Sequence, residues 1–193
     1  MSSSSDRSEA ESPVAVTDLG QVDVLLIGAG ISGIGGACHL RTQQPGRRFL
    51  ILDDQDGFGG TWWTHRYPGV RSDSDLYTFG YRFKPWLGAP IATGDEILAY
   101  LGEVIDEYDL ASHIHYRHRV LSASWSTQDS RWRVEGIRTD TGERFRVTAG
   151  FLWMGAGYYR HDQGHLPQWP GMERFQGQVI HPQRWPADLA LDG

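Results

Sequence analysis

The sequence has little of what several protein classes need. Its 193 residues include one cysteine, Cys38, which excludes an internal disulfide and a metal site built from several cysteines. The 18 lysines and arginines are outnumbered by 24 acids and form no basic run, whereas a nucleic-acid-binding surface needs clustered positive charge. The apolar run at 24–27 is far too short to span a bilayer. These absences predict a cytoplasmic α/β-type protein without a nucleic-acid partner or transmembrane segment.

Glycine and tryptophan are abundant, with 24 and 8 residues, and both are clustered. Glycines concentrate at 28–36 and 57–60, which indicates backbone surfaces arranged around a ligand. Composition also divides the chain into three parts. Residues 1–20, rich in serine and acids, predict a disordered tail; 21–157 have the patterns of a folded domain; 158–193, rich in Pro, Trp and His, predict a connecting segment.

The opening of the folded part predicts a Rossmann-like unit with a parallel sheet. An apolar strand at 22–27 ends in glycine, a helix follows at 31–44, and a second apolar strand spans 49–52. Residues 54–90 show no clear periodicity, and 95–110 predict an amphipathic helix that starts at an acidic cap. Further short strands, which predict a small antiparallel β-meander and a last strand, are expected at 113–120, 121–127, 131–138, 143–149 and 151–154.

The turn after the first strand has the spacing of a phosphate-binding motif. Gly28, Gly30 and Gly33 fit G-x-G-x-x-G between a strand and a helix, where the helix N-terminus can meet a pyrophosphate. Asp53 follows at the distance expected of a ribose-binding acid, although a capping or turn aspartate is the alternative. Because Asp54 is also acidic, the turn suits FAD or NAD better than a 2′-phosphorylated dinucleotide.

A second unusual segment lies in the long loop at 54–90. Gly59-Gly60 permits close approach to a flat ring, Trp62 offers an aromatic face, and Asp73 offers an acceptor. An ordered surface loop with aromatic packing is the alternative. Cys38 lies near the apolar face of the first helix, which favours a buried structural thiol over a reactive one.

Two motifs resemble those of Baeyer–Villiger flavoprotein monooxygenases. The pattern G-G-T-W-x4-Y-P-G-x3-D, from Gly59 to Asp73, is similar to the motif that this family carries beside the flavin. The pattern F-x-G-x3-H-x3-W-P, from Phe175 to Pro186, matches the family fingerprint. The run at 71–83 looks closest to the ethionamide-activating branch. Sister flavin N-/S-monooxygenases usually end the fingerprint in Tyr or Phe, so Trp185 favours the Baeyer–Villiger group.

The resemblance implies roles for residues at matching positions in the FAD site. Asp53 would hold the adenosine ribose, where the family usually has Glu, and Val120 would contact adenine through its backbone. The FAD pyrophosphate would be held by residues of the glycine turn: Gly28, Gly30, Ser32 and Gly33. The isoalloxazine ring would be flanked by Gly60, Thr61, Trp62 and Asp73.

The resemblance also implies contacts with NADPH and with a second domain. The nicotinamide would be bordered by Arg71, Ser72 and Asp73. Asp73 would also hold the family's catalytic arginine. The linker that couples the FAD and NADP domains would contain the fingerprint residues Phe175, Gly177, His181 and Trp185.

The implied protein is a FAD- and NADPH-dependent monooxygenase that oxidises a ketone or a sulfur compound with O2 through a C4a-peroxyflavin. The family's second glycine motif, its catalytic arginine and most of its substrate pocket lie beyond the segment that the 193 residues match. The expectation is therefore a FAD-binding domain, 21–157, with a truncated linker, 158–193, inactive alone. A non-catalytic FAD- or dinucleotide-binding module and a flavin N-/S-hydroxylating monooxygenase stay open as alternatives.

Overall fold

A mixed β-sheet flanked by helices organises residues 15–160 and 163–189, which the computed structural model describes. The strands are β1 (Val16–Ile27), β2 (Phe49–Leu52), β3 (Ile114–His115), β4 (His118–Ser126), β5 (Arg131–Arg138) and β6 (Arg144–Met154). The helices are α1 (Ile31–Gln43), α2 (Thr61–Thr64), α3 (Leu76–Phe79) and α4 (Gly94–Glu107). Within this part of the chain, no helix has the length and apolar content needed to cross a membrane.

The sheet order is β3-β2-β1-β6-β5-β4. In this order β3, β2, β1 and β6 run parallel to one another, whereas β6, β5 and β4 form an antiparallel meander. The predicted α/β class with a Rossmann-like parallel sheet and a small meander is therefore confirmed. All four residues of β2 are buried, which accounts for its continuous apolar sequence.

Side chains of β1 alternate between two hydrophobic clusters, one on each face of the sheet. Leu26 packs with residues of α1 and α4, whereas Leu25 packs with meander residues, including Phe145 and Val147. The meander therefore covers the face of β1 and β2 that lies opposite α1. This leaves the carboxyl ends of the parallel strands, where the glycine turn lies, as the edge that positions the candidate site.

The first strand begins earlier than predicted. β1 starts at Val16, so residues 16–20, predicted to belong to a disordered tail, form a strand beside β6. Asp18 pairs with Arg146 over 2.9 Å, and Gly20 lies at a register irregularity. This part of β1 is mostly exposed, so it lacks the apolar pattern on which the prediction relied. Residues 1–14 of the predicted tail lie outside the described residues.

Two pairs of predicted strands are merged or shifted in the structure. The segments predicted at 143–149 and 151–154 are one strand, β6, which pairs with β5 along its first half and with β1 throughout. The segments predicted at 113–120 and 121–127 instead form the two-residue β3 and the longer β4. Because β6 has two neighbouring strands along its first half and only β1 along its second half, it carries two hydrophobic patterns, which were predicted as two strands.

The predicted amphipathic helix is present but begins with a different cap. α4 starts at Gly94 after Thr93, whose side chain accepts a hydrogen bond from the Glu96 N–H, while the Glu96 side chain accepts one from the Thr93 N–H. This capping box replaces the acidic cap that was predicted. The preceding loop, predicted without regular structure, contains the short helices α2 and α3.

Two interior glycines of α1 allow aromatic rings to pack on the helix. A Cβ at Gly35 would stand 2.7 Å from the Tyr81 ring, and a Cβ at Gly36 would stand 3.3 Å from the Trp153 ring. The Tyr81 hydroxyl also donates to the carbonyl oxygen of Ile31 in the first turn. The long loop and β6 thus both hold α1 by direct contact.

Candidate functional site

The glycine turn joins β1 to α1 with backbone groups packed too closely for side chains. A Cβ at Gly28 would stand 2.5 Å from the carbonyl oxygen of Gly155, and a Cβ at Gly33 would overlap the carbonyl oxygen of Gly28. Gly28 has φ of 103°, a conformation that favours glycine. The turn therefore depends on glycine at both positions: Gly28 for the tight bend and Gly33 for close packing of helix and strand.

The N-terminus of α1 is left without an internal partner. Gly30 is the N-cap residue, no side chain among the described residues caps the helix, and its first turn contains no acid. Ser32 in this turn is exposed. Because the first N–H groups of a helix have no acceptor within the helix, this end presents free donors and the positive end of the helix dipole. Such an end can bind a phosphate group.

Asp53 links the end of β2 to the glycine turn. Its side chain is buried, with 7% exposed, and Oδ2 accepts a hydrogen bond from the Ala29 N–H over 2.6 Å. Its Oδ1 accepts from the Gln55 N–H over 2.9 Å. Asp53 thus stabilises the turn through backbone hydrogen bonds, which is the structural role given as the alternative to ribose binding. Both bonds join the Asp53 carboxylate to backbone N–H groups, one in the glycine turn and one in the segment after β2.

The strand beside Asp53 carries the residue predicted to contact adenine. Val120 lies near the start of β4, at an irregularity in its pairing with β5, and not at the end of a strand as predicted. Burial raises the pKa of the nearby Tyr116 hydroxyl to about 12, and the Asp53 charge adds to the rise. Burial lowers the pKa of the His115 imidazole, and the neighbouring His118 lowers it further. Both side chains are therefore uncharged near neutral pH.

The Gly59-Gly60 pair of the long loop lies directly against the glycine turn. The Gly59 N–H donates to the carbonyl oxygen of Ala29 over 2.9 Å, and a Cβ at Gly60 would stand 3.2 Å from the Gly30 Cα. Gly60 has φ of 57° and precedes α2, in which Trp62 packs against the core shared by α1 and α4. The structure therefore brings together two glycine motifs that are separate in the sequence.

The segment Arg71-Ser72-Asp73 follows along the same loop. Ser72 is buried, and its N–H donates to the Ala92 carbonyl oxygen, shortly before α4, over 2.9 Å. The loop is therefore fixed at this point. Arg71 and Asp73, on either side of it, are exposed. The hydrogen bond that Tyr159 donates to Tyr158 raises the pKa of Tyr159, and the Asp73 charge raises it further. Thr61 opens α2, and its carbonyl oxygen accepts from the His65 Nδ1 over 2.9 Å.

The C-terminal fingerprint segment lies against this loop through aromatic contacts. The Trp185 ring is 6.4 Å from the Tyr67 ring, between ring centroids. The Tyr159 ring is 6.1 Å from the His65 ring. Tyr67 belongs to the Tyr-Pro-Gly part of the first family motif, so the two motifs that carry the resemblance are in contact.

The other fingerprint residues have more local contacts. His181 precedes the 3-10 turn Pro182–Arg184, and its Nδ1 accepts from the Gln183 N–H over 3.2 Å. Its ring packs on Gly164. Phe175 is 63% exposed, and its ring packs over Gly177. Among the described residues, no contact therefore brings these three fingerprint residues to the glycine turn.

One residue of the turn was not identified from the sequence. Gly155 follows β6, its N–H donates to the Ile27 carbonyl oxygen over 2.8 Å, and a Cβ there would stand 3.3 Å from the Gly33 nitrogen. The signal was the Gly-Ala-Gly sequence directly after the apolar residues 151–154. A glycine at the end of a parallel strand next to β1 is expected to adjoin the same turn.

The residues fit an extended dinucleotide. Contacts run without a break from Asp53 to Ala29 to Gly30 to Gly60, the order in which ribose, pyrophosphate and ring would need their partners. The glycine backbones of Gly30 and Gly60 leave room that side chains would fill. The helix N-terminus supplies uncommitted donors at the centre of this line.

Comparison with known proteins identifies the relatives of this arrangement. A family model described as an NAD(P)-binding Rossmann-like domain matches residues 26–86. The chain is 47% identical over 172 residues to the FAD-containing monooxygenase EthA of Mycolicibacterium smegmatis and 45% identical to EthA of Mycobacterium tuberculosis H37Rv. Each alignment covers 89% of this chain and 35% of the relative, so the chain spans about a third of the relatives' length.

Solved structures show the same similarity. An oxidized steroid monooxygenase bound to NADP matches with a TM-score of 0.71 and 36% identity, over 87% of this chain and 32% of that one. A cyclohexanone monooxygenase bound to ε-caprolactone matches with a TM-score of 0.74 and 32% identity, over 90% of this chain and 34% of that one. These neighbours are Baeyer–Villiger monooxygenases, so the resemblance inferred from the two motifs is confirmed.

Proposed function

From this homology with FAD-containing monooxygenases, we propose that the chain binds FAD along the glycine turn and serves an NADPH-dependent monooxygenation. The reaction would insert oxygen from O2 into a ketone, as in Baeyer–Villiger oxidation, or into a sulfur compound. The contact between Gly30 and Gly60 carries the proposal, because it joins a phosphate-binding turn to the loop that bears Trp62.

The adenosine and pyrophosphate half would be held by α1 and β2. The free N–H groups at the start of α1 bind phosphate oxygens, and the absence of an acid from its first turn avoids repulsion. Asp53 fixes the turn through the Ala29 N–H, and its carboxylate at the end of the second strand would accept from the ribose hydroxyls. Gly28 and Gly33 keep the backbone close enough for these contacts.

The other half of the site orients the reacting ring. FAD, when bound, supplies the redox chemistry that links NADPH and O2 to the substrate. Gly60 lets the backbone approach the ring, Trp62 shields it from water, and Asp73 offers a carboxylate at its side. Arg71 adds positive charge on the exposed side of the loop.

We further propose that the 193 residues alone bind FAD without oxygenating a substrate. The chemistry that FAD would supply develops negative charge, which a cation held at a fixed position would stabilise. Arg71 is exposed and donates from Nε to the Gly69 carbonyl oxygen over 3.2 Å, so its own loop holds it. The resemblance assigns the catalytic arginine that pairs with the Asp73 position to another part of the relatives.

Equilibrium dialysis of the purified chain against FAD tests the binding step, with FMN as the matched control. FMN has the same ring system but lacks the adenosine half that α1, Asp53 and Val120 would hold. We expect retention of FAD and a yellow protein, with much weaker retention of FMN. A protein that retains neither flavin, or both equally, would contradict the assigned site.

Adding NADPH with phenylacetone or a thioether to the FAD-loaded chain tests the second proposal. We expect NADPH oxidation to yield no oxygenated product. Formation of an ester or sulfoxide would overturn the claim that this chain alone lacks turnover. In a parallel assay with an amine in place of these substrates, a hydroxylated product would overturn it too and would favour an N-hydroxylating monooxygenase. FAD binding without turnover agrees also with a non-catalytic module, which the coverage of a third of the relatives' length keeps open.

A further inference from the structure

An ion pair lies beside the residues assigned to adenosine. The Arg119 Nε is 3.2 Å from the Asp54 Oδ2, and the side chains are 43% and 30% exposed. Asp54 follows Asp53, the ribose candidate, and Arg119 precedes Val120, the adenine candidate. Within the described part of the chain, Asp54 is the only acid paired with Arg119.

Backbone hydrogen bonds fix both ends of this pair. The His118 N–H donates to the Asp53 carbonyl oxygen over 2.8 Å, and the Arg117 N–H donates to the Gln55 carbonyl oxygen over 2.8 Å. The Thr139 hydroxyl donates to the Asp54 carbonyl oxygen over 3.3 Å. The segment after β2 is therefore tied to the start of β4, which keeps the two charges at the adenosine end.

The chemistry of adenosine recognition gives this pair a consequence. An acid at the end of the second strand accepts from a free ribose 2′-hydroxyl, whereas a nearby arginine accommodates a 2′-phosphate. FAD carries the 2′-hydroxyl and NADPH carries the 2′-phosphate, and the proposed reaction needs both molecules. The site beside the glycine turn must therefore take one adenosine and refuse the other.

We propose that Asp54, by pairing with Arg119, makes this site select adenosine with a free 2′-hydroxyl over 2′-phosphorylated adenosine. Asp54 neutralises the charge of Arg119, a cation that would otherwise attract the phosphate. This inference rests on the proposed assignment of the FAD adenosine to Asp53 and Val120. It deepens that assignment by naming the residues that distinguish the two nucleotides.

Competition for bound FAD tests the proposal. Adenosine 2′,5′-bisphosphate and 5′-ADP are compared for their power to displace FAD in equilibrium dialysis, in the wild type, Asp54→Asn and the double variant Asp54→Asn/Arg119→Gln. Removing one charge interaction near the protein surface is worth about tenfold in affinity. We therefore expect Asp54→Asn to raise the affinity for the bisphosphate relative to that for 5′-ADP by about tenfold. The double variant should lose that gain.

Asp109→Asn is the matched control. Arg41 pairs with Asp109 over 2.8 Å at the far end of α1. Asp109→Asn therefore also breaks an Asp–Arg ion pair and changes the net charge by the same amount as Asp54→Asn. Asparagine tolerates the positive φ of 54° at this position. The control should leave the ratio unchanged.

The outcomes separate this inference from the proposed function. FAD uptake with an unchanged ratio in Asp54→Asn would overturn the selectivity role alone. Persistence of the gain in the double variant would show that Arg119 is not the cation involved, which would also overturn it. A wild-type chain that bound neither FAD nor 5′-ADP would reject the proposed function and this inference together.

Discussion

The two long helices begin in opposite ways. α4 starts at Thr93 with a capping box to Glu96, and Asp95 adds a second acid to its first turn. α1 starts at Gly30 with no side-chain cap among the described residues and no acid in its first turn. Both N-termini adjoin the long loop: Gly30 faces Gly60, and the Gly94 N–H donates to the Val70 carbonyl oxygen over 3.0 Å.

This difference separates a helix end completed by the protein from one open to a ligand. The Thr93 side chain and the Val70 carbonyl oxygen accept from N–H groups in the first turn of α4, and the acids of that turn favour the positive end of the helix dipole. In α1 the same donors and the same dipole are uncompensated. Since unpaired helix donors are costly when shielded from water, the end of α1 suits a phosphate. Changes at the two ends should therefore affect binding and stability in different proportions.

The largest effect is expected from Gly33→Ala, which places a Cβ against the Gly28 carbonyl oxygen. Overpacking at this backbone contact should lower the free energy of unfolding by about 3 kcal/mol. FAD retention should be lost together with stability. Urea unfolding and flavin absorbance measure the two effects. Gly46→Ala is the control, because a Cβ there meets nothing within 4 Å; equal behaviour of the two variants would contradict the assigned packing.

A smaller and more selective effect is expected from Gly30→Ala. A Cβ there would lie 3.6 Å from the Gly60 Cα, an ordinary contact, so the fold should persist. The methyl group would occupy the space through which the phosphates approach, and FAD affinity should fall roughly tenfold, about 1.4 kcal/mol. Dialysis with FAD, combined with urea unfolding of the ligand-free chain, checks both expectations. Unchanged affinity would break the comparison between the helices.

Thr93→Ala should have the reverse profile. Loss of the capping box should lower the free energy of unfolding by about 1 kcal/mol, because the donors at the start of α4 lose their acceptor. FAD affinity should stay at the wild-type value, since α4 completes its own N-terminus. If FAD affinity fell strongly while the variant was still fully folded, α4 would contribute directly to the site.

Ser32→Asp should sharpen the comparison with the smallest effect. An acid in the first turn of α1 should stabilise the ligand-free chain by about 0.5 kcal/mol, because it compensates the helix dipole as Asp95 does in α4. The same charge should repel the pyrophosphate and weaken FAD binding. Opposite signs for stability and affinity are the decisive result, and Ser32→Asn, which adds no charge, is the matched control.

The elements around the glycine turn could be predicted because their patterns are local. The strand at 49–52 has the predicted bounds, and α1 ends at Gln43, within one residue of the prediction. The start of β1 and the length of β6 could not be predicted, since both depend on pairing between residues more than a hundred positions apart, such as Val16 with Arg144. Thr93 was missed as a cap because two acids follow it.

The candidate site divides in the same way. The tasks of Gly28 and Gly33 follow from strand, turn and helix in one stretch, so the sequence predicted them. The contact of Gly60 with Gly30 was only an expectation of the family resemblance, because loop closure over 30 residues leaves no local pattern. The bond from Ala29 to Asp53 and the pair of Asp54 with Arg119 could not be predicted, since they depend on side-chain direction.

The glycines inside α1 have a consequence for motion. Each interior glycine costs about 1 kcal/mol of helix propensity relative to alanine, and α1 contains Gly35 and Gly36 next to each other. The helix is therefore held by the rings of Tyr81 and Trp153 more than by its own backbone preference. Amide hydrogen exchange in α1, which reports local opening of the helix, should become faster when the packing of the long loop on α1 is weakened. The loop that we propose to shield the flavin would then also set how firmly the start of α1 holds the phosphates.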